Sequence, residues 1–405
     1  MRARGGCVLG GWIGEWLNLL FRWGHLVVGA AWIGASFYFN WLNHQIRAPE
    51  GGAQPGLKGE LWAVHGGAFY RVLKLDGAPE QLPGTLHWFK HEAYFTWVTG
   101  VLLLGATYWM NAQSYMVDPS KIELSPSVAV GIGVGTLVGG WLVYDALCRA
   151  LARWPMALAW LGFALVVGVA LILDQVLSPR AAYIHVGAML GTIMAANVFF
   201  VIIPGQRAMV DAMIAGRPPD VSRGEAGAMR SLHNNYLTFP VLFIMVSNHY
   251  PVTWGHAHGP LILAAISLSA IAVRHWQNLR GRGELQPWLL PAGILGIVAT
   301  IGISRVPTPG EAAPVLAGAE TIPTSRIQQI VALRCLPCHA TEPSQPGVTE
   351  APKGVVLERP EDLHRFADRI HAQAIASQAM PLGNVTRMTD EERQLLATWL
   401  AQRAR

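Results

Sequence analysis

Eight stretches of this chain are apolar over about the 20 residues a helix needs to cross a bilayer: near 10–42, 85–110, 126–148, 155–176, 181–204, 231–250, 259–279 and 286–304. They predict an all-α, polytopic membrane helix bundle of about eight transmembrane helices over residues 1–304. Composition agrees: 14% of the 405 residues are charged, against about 25% in ordinary globular domains. Sixteen tryptophans and 43 glycines suit the same class, tryptophan for the interface and glycine for spanning helices. The first run begins behind Arg2 and Arg4 but continues past the length of a signal-peptide core and has no clear small-residue cleavage site. It reads as a retained helix. The net charge of +5 comes without an aromatic-interleaved basic patch or a DNA-reading motif, so no nucleic-acid partner is expected.

Basic residues orient the bundle. One set of loops holds Arg47, Lys58, Arg71, Lys74, Arg149, Arg153, Arg207, Arg217, Arg223, Arg230, Arg274, Arg280 and Arg282; the other side has only Arg2, Arg4, Lys121, Arg180 and Arg305. The positive-inside rule makes the first set cytoplasmic and puts both termini outside.

After residue 304 the pattern changes. A Pro, Ala and Gly stretch over 305–324 reads as a linker of intermediate stiffness, and residues 325–405 read as a separate small domain. That domain contains Cys335-Leu336-Pro337-Cys338-His339. Two thiols a turn apart can add to the vinyl groups of a haem while the next imidazole meets the iron, the c-type attachment pattern. A redox dithiol, a zinc half-site and a disulfide are the alternatives. Cys7 and Cys148 lie far away in apolar settings, which leaves a four-thiolate zinc site without its second half. No βαβ setting for a thioredoxin-like motif is visible. Capping boxes at Ser325/Gln328 and Thr389/Glu392 predict helices at both ends of the domain, with Met380 between them. The arrangement resembles a small class I cytochrome c, in which His339 and Met380 would be the axial iron ligands. Met388 is the rival, and core packing is the plain alternative for either methionine.

Within the apolar runs, His25, His185, His233, His249 and His275 are candidates for holding a second, non-covalent haem b or for handling protons, against a plain role in hydrogen bonding across helices. Glu15, Arg22, Glu92 and Asp145 add to a polar interior. His249, His256 and His258 cluster at an outer loop that could bind adventitious metal. "HEAYFTW" at 91–97 and "HNNYLTF" at 233–239, with helices starting at His25 and His185 before them, predict two parallel four-helix repeats. The segment 59–75 predicts a β-hairpin turning at Gly66-Gly67, with His65 and Arg71 beside it; its plain reading is a cap over the bundle.

The segments "WGHLVVGAAWIGASFYF", "ELWAVHGGAFYRV", "HWFKHEAYFTW", "HNNYLTFPVLFIMVSNHYP", "CLPCHATEP" and "AMPLGN" together resemble the bacterial membrane-bound urate hydroxylase family, an eight-helix domain fused to a cytochrome c. His87 and His91 depart from its pattern. The resemblance implies an inner-membrane enzyme that oxidises urate to 5-hydroxyisourate. Water supplies the oxygen, and electrons leave through haem c on the periplasmic side to a respiratory acceptor such as a soluble cytochrome or terminal oxidase. Urate is a flat anion, so its site needs cationic or N–H donors, apolar walls and a base. Arg22, one turn before His25, is the first choice for the anion, with His25, His185 and His233 as companions. A quinol-to-cytochrome c electron-transfer protein and a non-catalytic haem sensor or transporter are the competing classes, separated by which donor reduces the haem.

Overall fold

The computed structural model describes residues 4–304 apart from 53, 78 and 80–82, and residues 322–403 apart from 347; side chains are described from residue 13 onward. Most of the expected linker, together with Arg2 and Arg305, lies outside the described residues. Every apolar run falls in a helix: Arg4–Gln45, His91–Leu104, Pro126–Ala150, Pro155–Val176, Pro179–Ala196, Val221–Ser247, Gly259–Arg282 and Leu289–Ile303. Proline opens three of them, where its missing N–H would have had no helical partner. Ser125 caps one, its hydroxyl accepting from the Val128 N–H.

Among the described residues four helices are long and apolar enough to cross a membrane: Pro126–Ala150, Pro155–Val176, Pro179–Ile214 and Gly259–Arg282. The chain is a multi-pass membrane protein. Leu289–Ile303 has 15 residues, about 22 Å of helix, short of a hydrocarbon core of roughly 30 Å. Val221–Ser247 is long enough but carries Arg223, Glu225, Arg230, His233, Asn234 and Asn235. Several arginines expected in loops lie inside helices instead, Arg149, Arg207, Arg223, Arg230, Arg274, Arg280 and Arg282, and of these Arg230 and Arg274 are buried, 2% and 5% exposed.

The hairpin forms as expected, so the fold is helical with one β-ribbon among the described residues. Leu57–His65 pairs antiparallel with Ala68–Leu75, His65 opposite Ala68. Gly66 and Gly67 both take positive φ, 59° and 77°, as a two-residue turn of this twist requires. Arg71 is spent on the ribbon itself, paired with Glu60 at 2.6 Å and lying over Trp62.

The chain forms two compact units, Met1–Ala106 with Ala188–Val241 and Leu268–Ile294, and Thr107–Gly187 with Leu242–Ser267 and Leu295–Arg405. The second unit therefore combines the C-terminal segment with part of the helical region. Ile327, Leu396 and Trp399, all 0% exposed, centre an apolar core in that segment. Thr389 and Glu392 make the reciprocal capping box at the start of Asp390–Arg403. The other expected box is absent: the helix Thr324–Arg334 begins a residue earlier with Pro323 at its cap, so Ser325 is already helical. The loop 377–387 of the segment meets the helical region at three points. Gly383 lies against the Ser114 and Val117 carbonyls, Ser377 against Gly255, and Arg387 pairs with Glu123 at 2.7 Å.

Candidate functional site

Cys335 to His339 occupy a single helical turn, with the His339 N–H donating to the Cys335 carbonyl at 2.8 Å. Both cysteines are free thiols. Burial pushes Cys335 up to about 12, and it raises Cys338 as well. A redox dithiol needs the opposite, a thiol lowered towards thiolate. Among the described residues no cluster of three or more His, Cys, Asp or Glu side chains could hold a metal ion, which disfavours zinc here and adventitious metal at His249, His256 and His258. His339 Nδ1 lies 2.8 Å from the Val355 carbonyl. A carbonyl only accepts, so Nδ1 carries the proton and Nε2 keeps its lone pair for an outside ligand. Met380 is half-buried against the apolar core, its carbonyl accepting from Arg393 at 2.7 Å. Met388 is 3% exposed inside that core and is fixed at both its N–H and carbonyl by the Asn384 amide.

The membrane histidines are bonded differently from one another. His185 is 0% exposed, with Nδ1 on the Ala181 carbonyl at 2.8 Å and Nε2 accepting from the Trp109 indole at 3.2 Å. Both nitrogens are spent, so His185 has no lone pair to give an iron. Gly133 leaves room for it, since a Cβ there would sit 2.6 Å from Nε2. His25 Nδ1 meets the Thr96 carbonyl at 3.0 Å and the Thr99 hydroxyl at 3.2 Å. His25 and His233 belong to the first unit and His185 to the second. The repeat motifs also differ in placement: His91 is the first residue of its helix, whereas His233 lies well inside Val221–Ser247. Arg22 is half-buried and donates to Asn18 on its own helix at 3.1 Å.

Two arginines missed as site candidates have fuller surroundings. In the first unit, Arg274 donates to Asn235 at 3.0 Å and Gln277 at 2.7 Å, with its guanidinium 4.0 Å from the centre of the Phe37 ring. Asn278 and Asn40 extend the network, Asn278 donating to Asn235 and Asn40 to Asn278. In the second unit, Arg180 sits among three aromatic rings, Tyr108, Tyr115 and Trp254, at 5.7–6.0 Å. Asn248 locks this cage by accepting from Arg180 Nε at 3.1 Å and the Tyr108 hydroxyl at 2.8 Å. A π-helical turn at Gly105–Trp109 aims Tyr108 into the cage and Trp109 at His185; such widened turns recur at functional sites.

The profile of the family described as urate oxidase N-terminal matches residues 11–304. The chain belongs to the urate oxidase N-terminal family. Comparison with curated proteins and with solved structures gave no match. Membership points to an oxidoreductase acting on urate. The urate oxidase match includes Arg22, His25, His185, His233, Arg180 and Arg274 and ends before Cys335. No local sequence pattern marks the Arg180 cage, whose members come from separate parts of the chain; in the sequence Arg180 stands out only as one of the few basic residues of the outer side.

Proposed function

We propose that this urate oxidase family member oxidises urate to 5-hydroxyisourate in the membrane and passes the electrons to a haem c carried by its C-terminal segment. The family match over residues 11–304 is the observation that carries this reading. Urate and one water give 5-hydroxyisourate, two protons and two electrons, with the water oxygen bonding to C5 of the purine. On this reading all eight apolar runs cross the inner membrane, the short helices His91–Leu104 and Leu289–Ile303 with their flanking residues and local thinning of the bilayer, and the C-terminal segment faces the periplasm, where a soluble cytochrome or terminal oxidase takes the electrons onward.

Cys335 and Cys338 would hold the haem by thioether bonds, and His339 and Met380 would bind its iron. The free thiols, the open Nε2 of His339 and the apolar lining by Leu336, Val355 and Met380 all fit such a group. When bound, a His/Met-ligated haem supplies a one-electron acceptor of raised potential. Val355 fixes the tautomer and direction of His339, and Arg393 ties down the backbone at Met380. In the membrane region, a buried cation offsets the urate charge and neighbouring polar groups accept the released protons.

The test is anaerobic mixing of the purified full-length protein with urate while the reduced haem c bands are followed. Urate should reduce the haem without another donor. Reduction by a quinol but not by urate would replace this reading with quinol-to-cytochrome transfer.

A further inference from the structure

We propose that the aromatic cage around Arg180 is the site that binds the urate anion, directly beneath the Met380 loop; this rests on the urate-oxidising function proposed above. Arg180 is half-buried, and among the described residues no carboxylate pairs with it. A partly desolvated cation beside neutral groups is an unmet electrostatic demand, and a planar anion satisfies it best through the guanidinium fork. Asn248 takes only the Nε proton, leaving the terminal nitrogens without an acceptor among the described residues. Arg274 is the contrasting case: two amide oxygens already accept from its guanidinium, at Nε and at a terminal nitrogen, and it is 5% exposed.

The walls suit a purine. Tyr108, Tyr115 and Trp254 give flat apolar faces, the surroundings in which a heteroaromatic ring stacks. Trp254 is 6% exposed, and its indole N–H is buried without a hydrogen-bond partner among the described residues. Native proteins rarely leave such a donor unused. A urate carbonyl would accept from it.

Position supplies the strongest support. Trp254 precedes Gly255, which lies against Ser377, and Tyr115 follows Ser114, whose carbonyl lies against Gly383. Residues 377 and 383 bracket Met380. Two walls of the cage are therefore each one residue from the contacts that seat the Met380 loop, so a urate held there has a short electron path to a haem ligated on that side.

The experiment uses full-length protein in detergent, with Arg180→Gln, Arg180→Lys and Trp254→Phe compared with the wild type. Binding of radiolabelled urate is measured on ascorbate-reduced protein, where no turnover occurs; KM and kcat come from urate-driven anaerobic reduction of an added one-electron acceptor such as ferricyanide. Haem staining and reduction by ascorbate report whether each variant is intact. Arg180→Gln should weaken urate binding roughly 10- to 150-fold, the range for a hydrogen bond to a charged group, with Lys recovering part of it. Trp254→Phe keeps the wall and should weaken binding roughly 5-fold through loss of one N–H. Wild-type urate affinity in an intact Arg180→Gln protein overturns the site while leaving urate oxidation standing. If Arg180→Gln loses its haem, the Trp254→Phe result decides, and unchanged affinity there overturns the proposal. Urate that binds the wild type through Arg180 yet never reduces its haem keeps the site and removes the oxidation.

Discussion

The helical region and the C-terminal segment differ in where their apolar side chains lie: among the described residues nearly all of the large exposed ones belong to the helical region, and Leu333 alone among them to residues 322–403. Around Asn235, Asn278 and Arg274 the buried groups are amides and a cation, while large apolar side chains such as Leu26, Ile172 and Leu295 are 65–70% exposed. In residues 322–403 the centre is Ile327, Leu396 and Trp399, with Glu391 and Arg387 outside. The difference follows from solvent. A bundle in lipid gains nothing by hiding leucine from hydrocarbon, so its helices are joined by packing and interhelical hydrogen bonds, and polar residues turn inward. An apolar core like the one around Trp399 gains instead by removing apolar surface from water. Polar burial thus points to chemistry in the first region, whereas in the second it is the exceptions to an apolar core, Cys335, Cys338 and His339, that do so.

The largest test of this contrast is Cys335→Ser with Cys338→Ser, which should abolish covalent haem on a stained denaturing gel and urate-driven reduction, while the helical region still inserts. Covalent haem retained by the double variant would remove the haem reading. In the wild type a pyridine haemochrome spectrum should contain the c-type component alone, because both nitrogens of His185 are engaged. A b-type component lost on changing His233 would restore the second haem.

Next in size is Trp399→Ala, expected to destabilise the C-terminal segment by about 3–5 kcal/mol, read as a lowered melting temperature of the full-length protein. In the polar interior, Asn235→Leu removes the acceptor shared by Arg274 and Asn278 and should lower stability by about 1–3 kcal/mol. A gain in stability there would mean that hydrophobic burial governs both interiors alike.

The smallest effect concerns pH. Burial pushes the Glu392 carboxyl up, but the Arg334 side chain at 2.9 Å and the Thr389 N–H more than offset this and hold it below the ordinary range. A carboxyl lowered on folding contributes stability above its unfolded pKa of about 4.3 and loses it as pH falls through the folded value. Melting curves should therefore show a loss of about 1 kcal/mol or less below about pH 4.5, absent in Glu392→Gln.

The helices, the Gly66-Gly67 hairpin and the Thr389/Glu392 cap were legible because each depends on residues near one another in the chain: apolar run length, two glycines free to take positive φ, a hydroxyl and a carboxylate three apart. The Cys335 to His339 turn is equally local. Ser325 misled because a capping pattern fits any serine three residues before a glutamine, and the tertiary packing started the helix at Thr324. Arg22 lies one turn from His25 in the sequence, yet its described bond is to Asn18 on the same helix.

Run length by itself determined a multi-pass helical protein. The tertiary structure alone decided that His185 is saturated, that Arg274 is enclosed by amides and that Arg180 stands in a cage. The bonds responsible join residues 76 apart for Trp109 and His185, 68 for Arg180 and Asn248, and 140 for Tyr108 and Asn248. Periodicity along one helix specifies which face is apolar, but which donor from another helix arrives at that face is set only when the helices pack.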